Sequence, residues 1–519
     1  MVTSLWDKKS MKAFVFMLSV LVSLSFYLWG VTLTDNYFWI YSCKEAQEMV
    51  MCLLSLLGMK AWFSAFGFTL LSQRILTWGM NILTLLIPYF GLLKGSDRSK
   101  YVYYLCSALV ILGPGIAKCC TPDTFTSVLL AIAIVSFVKM LGNKRFLWFL
   151  SLSVSTALLI AARFPNVVAV PLIAMFMLFL GDKNRITRWK YALGYVVLSM
   201  VLYWGVMTLL LGETNCFSLL ADSFSQETGN VNGRHSMVGL LLRYCKSILL
   251  AMIALFGIVV ACCTNRRLFP NKQKLGIAVS ILLGTIICYG ILGRIGEKFH
   301  SWPVCVAPLV SLPLFYVAYK AYREKSNRCS CLCLFLGMVI YVPSAGSDTG
   351  FQKSLMVASA ILPIAAVYVR KKVKQMTNIK LALGIMIVTS LLMYNDGICA
   401  NNSMSSDAKL QGILLPKWQL ESNQEIKQGL KPWFKMNHTV FYGLEAHYWY
   451  FYTDSKLMYN PGFWMLQNEK VALGKAVDVV KSDKNAVLVD FTHSDKDYLL
   501  KQGLKLVADG DKFRVYKRE

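Results

Sequence analysis

Long apolar segments alternate with short polar ones over most of the chain. Runs of about 16–25 apolar residues, close to the length that a helix needs to cross a bilayer, recur from Met11 to about Asp396. They lack the alternating polar pattern of a membrane barrel, so helices are the structure that satisfies their backbone groups. Hydropathy predicts about thirteen transmembrane helices. Their approximate limits are 11–31, 75–93, 101–117, 124–141, 146–162, 165–180, 191–211, 247–263, 275–293, 303–319, 331–345, 354–369 and 380–396.

The pattern changes after Gly397, where the composition becomes that of a soluble protein. Short apolar runs bounded by turn residues predict strands, and helical periodicity predicts helices between them. The strands are predicted at 438–443, 486–491, 505–508 and 513–517, and the helices at 469–481 and 495–502. We therefore expect an α-helical polytopic membrane unit over residues 1–396 and a small water-soluble α/β domain over residues 397–519. The aromatic run 447–452 fits a domain core, a membrane-facing belt or a surface that stacks on sugar.

The charge distribution predicts how the chain is oriented in the membrane. The chain has 54 Lys and Arg against 28 Asp and Glu, a formal net charge of +26. Cytoplasmic connections of membrane proteins are enriched in Lys and Arg. We therefore predict a cytoplasmic N-terminus, and an odd number of spans then places the C-terminal domain on the other side. The same clustering argues against nucleic-acid binding, which needs a continuous basic surface. Every second predicted connection is basic, namely 94–100, 144–145, 183–190, 266–274, 320–328 and 370–374.

The two longest outer connections each contain a partly apolar stretch. Residues 46–59 and 237–244 are predicted to form helices that lie in the membrane interface. Cys119 and Cys120, in another outer connection, are predicted to be open to oxidation, although the cysteine spacings define no disulfide framework.

Charged residues gather at the outer ends of the predicted spans, where a charged side chain either reaches water or faces a polar cavity. A carboxylate there can deprotonate a hydroxyl group, and a cation can stabilise a phosphate. Structural explanations stay open for each residue; Asp123, for example, follows Pro122 in a first helical turn, where the helix dipole favours an acid. The candidates are Asp35, Asp123, Arg163, Glu297, Lys298, His300, Asp348 and Lys353.

Several segments together resemble the GT-C superfamily of membrane glycosyltransferases, in particular the bacterial branch related to protein mannosyltransferases and lipid A aminoarabinose transferases. The resemblance covers roughly residues 11–320. Where family members commonly have a second acid after the first helix, this chain has Asn36. The segments are Asp35 followed by the stretch 45–49, the helix start 74–81 (RILTWGMN), the Thr121-Pro122-Asp123 motif, the break 161–165 (AARFP) and the segment 298–303 (KFHSWP).

The resemblance implies a GT-C-like fold and a function in a bacterial inner membrane. Such an enzyme transfers a sugar from a polyprenyl-phosphate-linked donor, whose tail lies among membrane lipids, to a glycan or lipid acceptor of the cell envelope on the periplasmic face. It implies Asp35 as catalytic base with Asp123 supporting it. The predicted substrate-binding residues are Arg74, Arg163, Glu297, Lys298, His300, Asp348 and Lys353. Of these, Glu297, Asp348 and Lys353 are included for their position at the outer ends of spans, outside the motifs that carry the resemblance. No cofactor is implied with certainty, although a divalent metal is compatible with the family.

Two other functions stay open at this stage. A transporter or a flippase of lipid-linked saccharides would place charges near span midplanes and show paired broken helices, whereas the ionisable groups here lie mostly at one face. A non-catalytic membrane subunit of a polysaccharide assembly complex is the other alternative, and Asn36 favours it. The chain contains no Walker A loop, GxSxG elbow or HExxH motif.

Overall fold

The structure is a computed structural model. It describes the ranges 50–92, 119–142, 146–180, 184–212, 237–268, 273–295, 298–345, 350–354, 412–435, 438–443, 445–453 and 469–519, together with 20–24, 27–28, 35–43, 402–404 and the positions 14, 17, 18, 218, 357, 360, 361, 363–365, 385, 410, 455 and 458.

Most of the described chain before residue 345 is helical, and it forms an integral membrane protein. Five helical segments in the described ranges are long and apolar enough to cross a membrane: Leu70–Leu92, Pro122–Gly142, Arg185–Leu211, Leu241–Asn265 and Asn327–Ser344. The helices are α1 (Asp35–Ser42), α2 (Leu53–Phe66), α3 (Leu70–Leu92), α4 (Pro122–Gly142), α5 (Phe146–Ala162), α6 (Ala169–Leu180), α7 (Arg185–Leu211), α8 (Met237–Leu268), α9 (Gln273–Ile295), α10 (Lys298–Arg323) and α11 (Asn327–Val339).

The helix limits follow the predicted hydropathy closely where both can be compared. The predicted span 146–162 matches α5, and the predicted break after it is a 3-10 segment, Phe164–Val168, that separates α5 from α6. Pro165 lies at its start and cannot donate a backbone hydrogen bond. The predicted span 101–117 lies outside the described residues, as do most of 11–31, 354–369 and 380–396, so the count of thirteen stays a prediction.

The two predicted interfacial segments differ from the structure. Residues 237–244 form the first turns of the 32-residue helix α8 instead of a separate helix. No proline or glycine stands between Tyr244 and residue 247, so nothing interrupts the helical hydrogen bonds there. The segment predicted at 46–59 begins later, with a 3-10 turn at Val50–Cys52, and continues through α2 to Gly67, whose φ of 88° ends the helix.

The main core lies where α4, α5, α6 and α11 meet. The ring of Phe335 on α11 lies 4.3 Å from that of Phe137 and 5.4 Å from that of Phe176, centroid to centroid. The hydroxyls of Ser136 and Ser151 share a hydrogen bond of 2.8 Å between α4 and α5. These contacts hold the four helices together, and so they fix the positions of the segments that follow their ends.

A four-stranded sheet lies near the C-terminus, in the order Thr439–Tyr442 (β3), Val487–Asp490 (β4), Arg514–Arg518 (β6) and Leu504–Asp509 (β5). β3 and β4 are parallel, and β4, β6 and β5 pair antiparallel. The strands and helices predicted from 438 onward agree with the observed ones within one or two residues; the division into a domain over 397–519 stays a prediction. The elements are β1 (Asn402–Met404), β2 (Leu414–Pro416), α12 (Lys417–Leu430), β3 (Thr439–Tyr442), α13 (Ala446–Thr453), α14 (Glu469–Ser482), β4 (Val487–Asp490), α15 (Lys496–Lys501), β5 (Leu504–Asp509) and β6 (Arg514–Arg518).

Two glycines of α3 give a matched test of the packing between α3 and α4. A Cβ atom at Gly91 would lie 2.5 Å from Cγ1 of Val135, whereas a Cβ at Gly79 would meet nothing within 4 Å. Val135 is buried and β-branched, so it has few other rotamers. We expect Gly91→Ala to destabilise the detergent-solubilised protein by about 1–3 kcal/mol in thermal unfolding. Gly79→Ala should leave the midpoint unchanged or raise it, and equal effects of the two substitutions would contradict the close contact.

Candidate functional site

Asp123 is a buried carboxylate in the first turn of α4. Pro122 begins the helix, and its missing N–H costs nothing at this position. An acid in the first turn is favoured by the helix dipole. The hydroxyls of Thr126 and Ser127 donate to the carbonyls of Pro122 and Asp123, at 3.0 and 2.9 Å, and tighten the same turn. The helix start therefore explains why an acid lies here, but it does not neutralise the charge.

Two cations from distant segments neutralise that charge. Lys353 Nζ lies 2.8 Å from Oδ2 of Asp123, and Arg163 Nε lies 3.4 Å from Oδ1. The side chains are 3% exposed for Asp123, 11% for Arg163 and 27% for Lys353. The exposure increases from the carboxylate to the lysine, so Lys353 is the part of this ion cluster that solvent or a ligand reaches most readily.

Arg163 is held by the break between α5 and α6. Its backbone is extended, with φ −159° and ψ 108°, which turns the chain out of α5. Its guanidinium donates to the carbonyls of Pro343, at 2.8 Å, and Ala345, at 3.3 Å. Asn166 secures the break by donating to Oγ1 of Thr126 on α4, at 2.9 Å. Arg163 therefore links α4, the break after α5 and the segment after α11.

Lys353 is held by aromatic packing around Phe351, two residues before it. A 3-10 segment, Gly350–Lys353, carries both residues. The ring of Phe351 lies 5.0 Å from that of Tyr244 and 4.8 Å from that of Tyr341. The Tyr244 hydroxyl also donates to the carbonyl of Ser344, at 2.7 Å. The lysine therefore belongs to a packed segment with contacts to α8 and to the end of α11.

The ion cluster suits an anionic ligand. Arg163 and Lys353 are two cations in a partly buried environment, where electrostatic attraction is stronger than in water. The two carboxylate oxygens of Asp123 each lie next to one of these cations, so the carboxylate is placed to orient both of them. The same two cations oppose a divalent metal at Asp123. Within the described ranges, no three residues among His, Cys, Asp and Glu form a set that could hold a metal ion.

The structure brings together three of the residues that the sequence singled out: Asp123, Arg163 and Lys353. Arg74 is buried on α3, as are Gln73 and Thr77 beside it. The other candidates are only partly described. Asp35 begins α1, and Lys298 and His300 lie in the first turn of α10, but their side chains are not among those described; Glu297 and Asp348 lie outside the described residues.

Sequence reasoning missed the residues that support the ion cluster. Asn166, Tyr244 and Phe351 were not candidates, although each fixes one of its cations or the segment that carries it. For Asn166 a signal was available, since it follows the Arg163–Pro165 break directly. The sequence gives no such signal for Tyr244, because its partners lie about a hundred positions further along the chain.

Solved structures similar to this chain are membrane glycosyltransferases of the GT-C superfamily, the class that its motifs resemble. One is ArnT from Cupriavidus metallidurans bound to undecaprenyl phosphate, with a TM-score of 0.43 and 12% identity over 97% of each chain. Another is the oligosaccharyltransferase AglB from Archaeoglobus fulgidus, in complex with an inhibitory peptide and a dolichol-phosphate. It has a TM-score of 0.47 and 12% identity, and the match covers 99% of this chain and 75% of that one.

A further structure of the Archaeoglobus fulgidus oligosaccharyltransferase, in complex with Zn and sulfate, has a TM-score of 0.47 and 11% identity over 94% of this chain and 69% of that one. No protein-family model and no curated protein matches this chain. At these scores and identities the likeness concerns the general course of the chain. The contacts of Asp123 are therefore the basis for the proposal below.

Replacing Asp123 tests whether the ion cluster supports the fold. In Asp123→Asn the two cations lose their counter-charge while both remain partly buried, and such a loss typically costs roughly 3–5 kcal/mol. We expect a correspondingly lower thermal unfolding midpoint in detergent. The matched control is Glu421→Gln, which removes an ion pair of 3.8 Å with Lys417, both side chains being mostly exposed. Exposed pairs contribute little, so a loss in Asp123→Asn no larger than in Glu421→Gln would contradict a stabilising ion cluster.

Proposed function

We propose that this chain is a membrane glycosyltransferase that moves a sugar from a polyprenyl-phosphate-linked donor to a glycan or lipid acceptor of the cell envelope. The observation that carries this proposal is the ion cluster of Asp123, Arg163 and Lys353. The cluster places two cations at helix ends, and the phosphate of a membrane-anchored donor requires cationic partners.

The helix connections support an outer position for this cluster. Asp123 lies in the first turn of α4 and Arg163 follows the end of α5, so both lie at the helix ends opposite the basic connection Lys144–Arg145. Lys353 likewise follows the far end of α11, opposite the basic connection 320–328. Because Lys and Arg accumulate in cytoplasmic connections, we infer that the cluster faces the outside of a bacterial inner membrane. With thirteen spans, the C-terminal sheet lies on that same side as part of an α/β domain over 397–519.

The proposed chemistry separates the roles of acid and cations. Lys353 and Arg163 would bind the donor phosphate and stabilise its charge as the bond to the sugar breaks. Asp123 would orient both cations instead of accepting a proton. The general base is assigned to Asp35, the first residue of α1, which would take the proton of the acceptor hydroxyl. The solved structures of ArnT and AglB contain undecaprenyl phosphate and a dolichol-phosphate, and we propose a donor lipid of the same chemical class here.

The phosphate-binding role of Lys353 can be measured with undecaprenyl phosphate in detergent micelles. Lys353→Met keeps the length of the side chain but removes its charge. We expect at least tenfold weaker binding, or about 1.4 kcal/mol, because one charge-assisted contact is lost. The control is Lys320→Met, which replaces an exposed lysine near the C-terminal end of α10. This variant should bind undecaprenyl phosphate as the native protein does. Undecaprenol, which lacks the phosphate, should bind both variants alike. Unchanged affinity in Lys353→Met would exclude the lysine from the phosphate site.

The catalytic role of Asp35 can be tested by sugar transfer from a panel of undecaprenyl-phosphate-linked sugars in proteoliposomes with envelope extract as acceptor. Asp35→Asn should insert normally and bind undecaprenyl phosphate as before. Its transfer rate should fall by about 10²–10⁴-fold, the contribution of a general base. Asp497→Asn, at an exposed carboxylate of α15, serves as the control. Full transfer by Asp35→Asn would refute the assignment of the base.

A further inference from the structure

The helix α13 is almost entirely aromatic and buried, although it belongs to the C-terminal region. Its sequence is AHYWYFYT, and the side chains from Ala446 to Phe451 are all buried. Three residues separate the end of β3 from the start of α13. Its burial decides between the explanations that the sequence left open for the aromatic run, because six consecutive buried side chains belong to a core.

The partner of α13 is α1, the short helix that begins at Asp35. The ring of Tyr37 lies 4.9 Å from that of Tyr448 and 5.0 Å from that of Phe451. The imidazole of His447 lies edge-on to the ring of Phe38, at 5.3 Å. The two helices therefore share an aromatic interface, although they lie about four hundred positions apart in the chain.

The C-terminal sheet anchors α13 from its other side. The ring of Trp449 stacks on that of Phe491, the residue after β4, at 5.5 Å and 15°. The backbone N–H of Phe441 on β3 donates to the hydroxyl of Tyr450, at 3.0 Å. The carboxyl ends of the parallel strands β3 and β4 are the edge where open α/β sheets usually bind ligands. Here α13 occupies that edge, so the sheet presents a helix to the membrane unit.

Further contacts bring the chain before the sheet onto the membrane helices. The backbone N–H of Leu414 donates to the carbonyl of Leu28, at 2.9 Å. A Cβ at Gly412, whose φ is 80°, would lie 3.3 Å from Leu71 of α3. One hydrophobic cluster accordingly contains residues of α1, α2 and α3 together with apolar residues of the later chain, among them Leu410, Leu415 and Phe451. The attachment of the C-terminal region to α1 therefore does not depend on a single pair of rings.

α1 needs such a partner because of its length. It has 8 residues, and isolated helices shorter than about 12–15 residues are marginal in water. Its stability and direction must come from tertiary packing, and Tyr37, Phe38 and Tyr41 all contact rings of α13. The helix that carries the first candidate carboxylate is thus fixed by a segment encoded near the other end of the chain.

We propose that α13 is a positioning element of the active site: through Tyr448 and Phe451 it holds α1, and with it the backbone of Asp35, in place against the membrane unit. This inference rests on the proposed function for its catalytic consequence, but the coupling of α13 to α1 does not. Tyr448 and Phe451 act through α1 and are positioning residues. The C-terminal region then contributes to turnover without binding the donor phosphate, which lies with Arg163 and Lys353.

The full-length protein in detergent tests this proposal with three variants. Tyr448→Ala removes the ring against Tyr37, Tyr448→Phe keeps the ring, and Trp433→Ala removes a partly exposed aromatic whose cation–π partner is Lys517 of β6. Three quantities are measured for each: hydrogen exchange of the α1 amides, affinity for undecaprenyl phosphate, and kcat for sugar transfer from the panel of undecaprenyl-phosphate-linked sugars.

In Tyr448→Ala we expect the α1 amides to exchange hydrogen at least tenfold faster than in the native protein. The kcat for sugar transfer should fall at least tenfold, while the affinity for undecaprenyl phosphate should stay within threefold of the native value. Tyr448→Phe and Trp433→Ala should stay within twofold of native in all three. Unchanged α1 exchange in Tyr448→Ala, equal losses in Trp433→Ala, or faster exchange with native kcat would each overturn the proposal. A native protein that transfers no sugar from any donor would refute the proposed function, while the exchange data would still decide whether α13 holds α1.

Discussion

The buried carboxylate of Asp123 is the constraint on which this end of the membrane helices depends. An ion removed from water costs several kcal/mol unless partners compensate it, and Asp123 is almost fully buried. Compensation comes from Arg163 and Lys353, and Arg163 is in turn satisfied by the carbonyls of Pro343 and Ala345. One charge therefore requires the start of α4, the break after α5 and the segments after α11 to meet.

This requirement links stability to the proposed chemistry. The buried acid holds two cations in place, and under the proposed function those cations bind the donor phosphate. Under the proposed function Asp123 orients the two cations, whereas the family resemblance implies that it supports the catalytic base. The proposed catalysis also depends on α1, a helix of 8 residues, which needs tertiary packing to be stable. Its aromatic contact with α13 makes the C-terminal sheet part of the same working unit.

Much of this arrangement could be predicted from local sequence, and the rest could not, for identifiable reasons. The limits of α5 and of β4 follow from runs of apolar residues, because the length and composition of such a run are enough to predict a buried helix or strand. Asp123, Arg163 and Lys353 were recognisable as charges at span ends. Their meeting was not, since Lys353 and Asp123 are 230 positions apart. The packing of α13 against α1 was equally hidden, because an aromatic run gives no indication of its partner.

The most direct test of the account is an experimental structure, by cryo-electron microscopy in lipid nanodiscs, of the native protein with undecaprenyl phosphate. The account predicts that the phosphate lies within hydrogen-bond distance of Lys353 Nζ on the side opposite the basic connections, with the Asp123 ion pairs intact and the polyprenyl chain extending into the bilayer. A phosphate bound at the other face, or away from Lys353 and Arg163, would contradict the central claim.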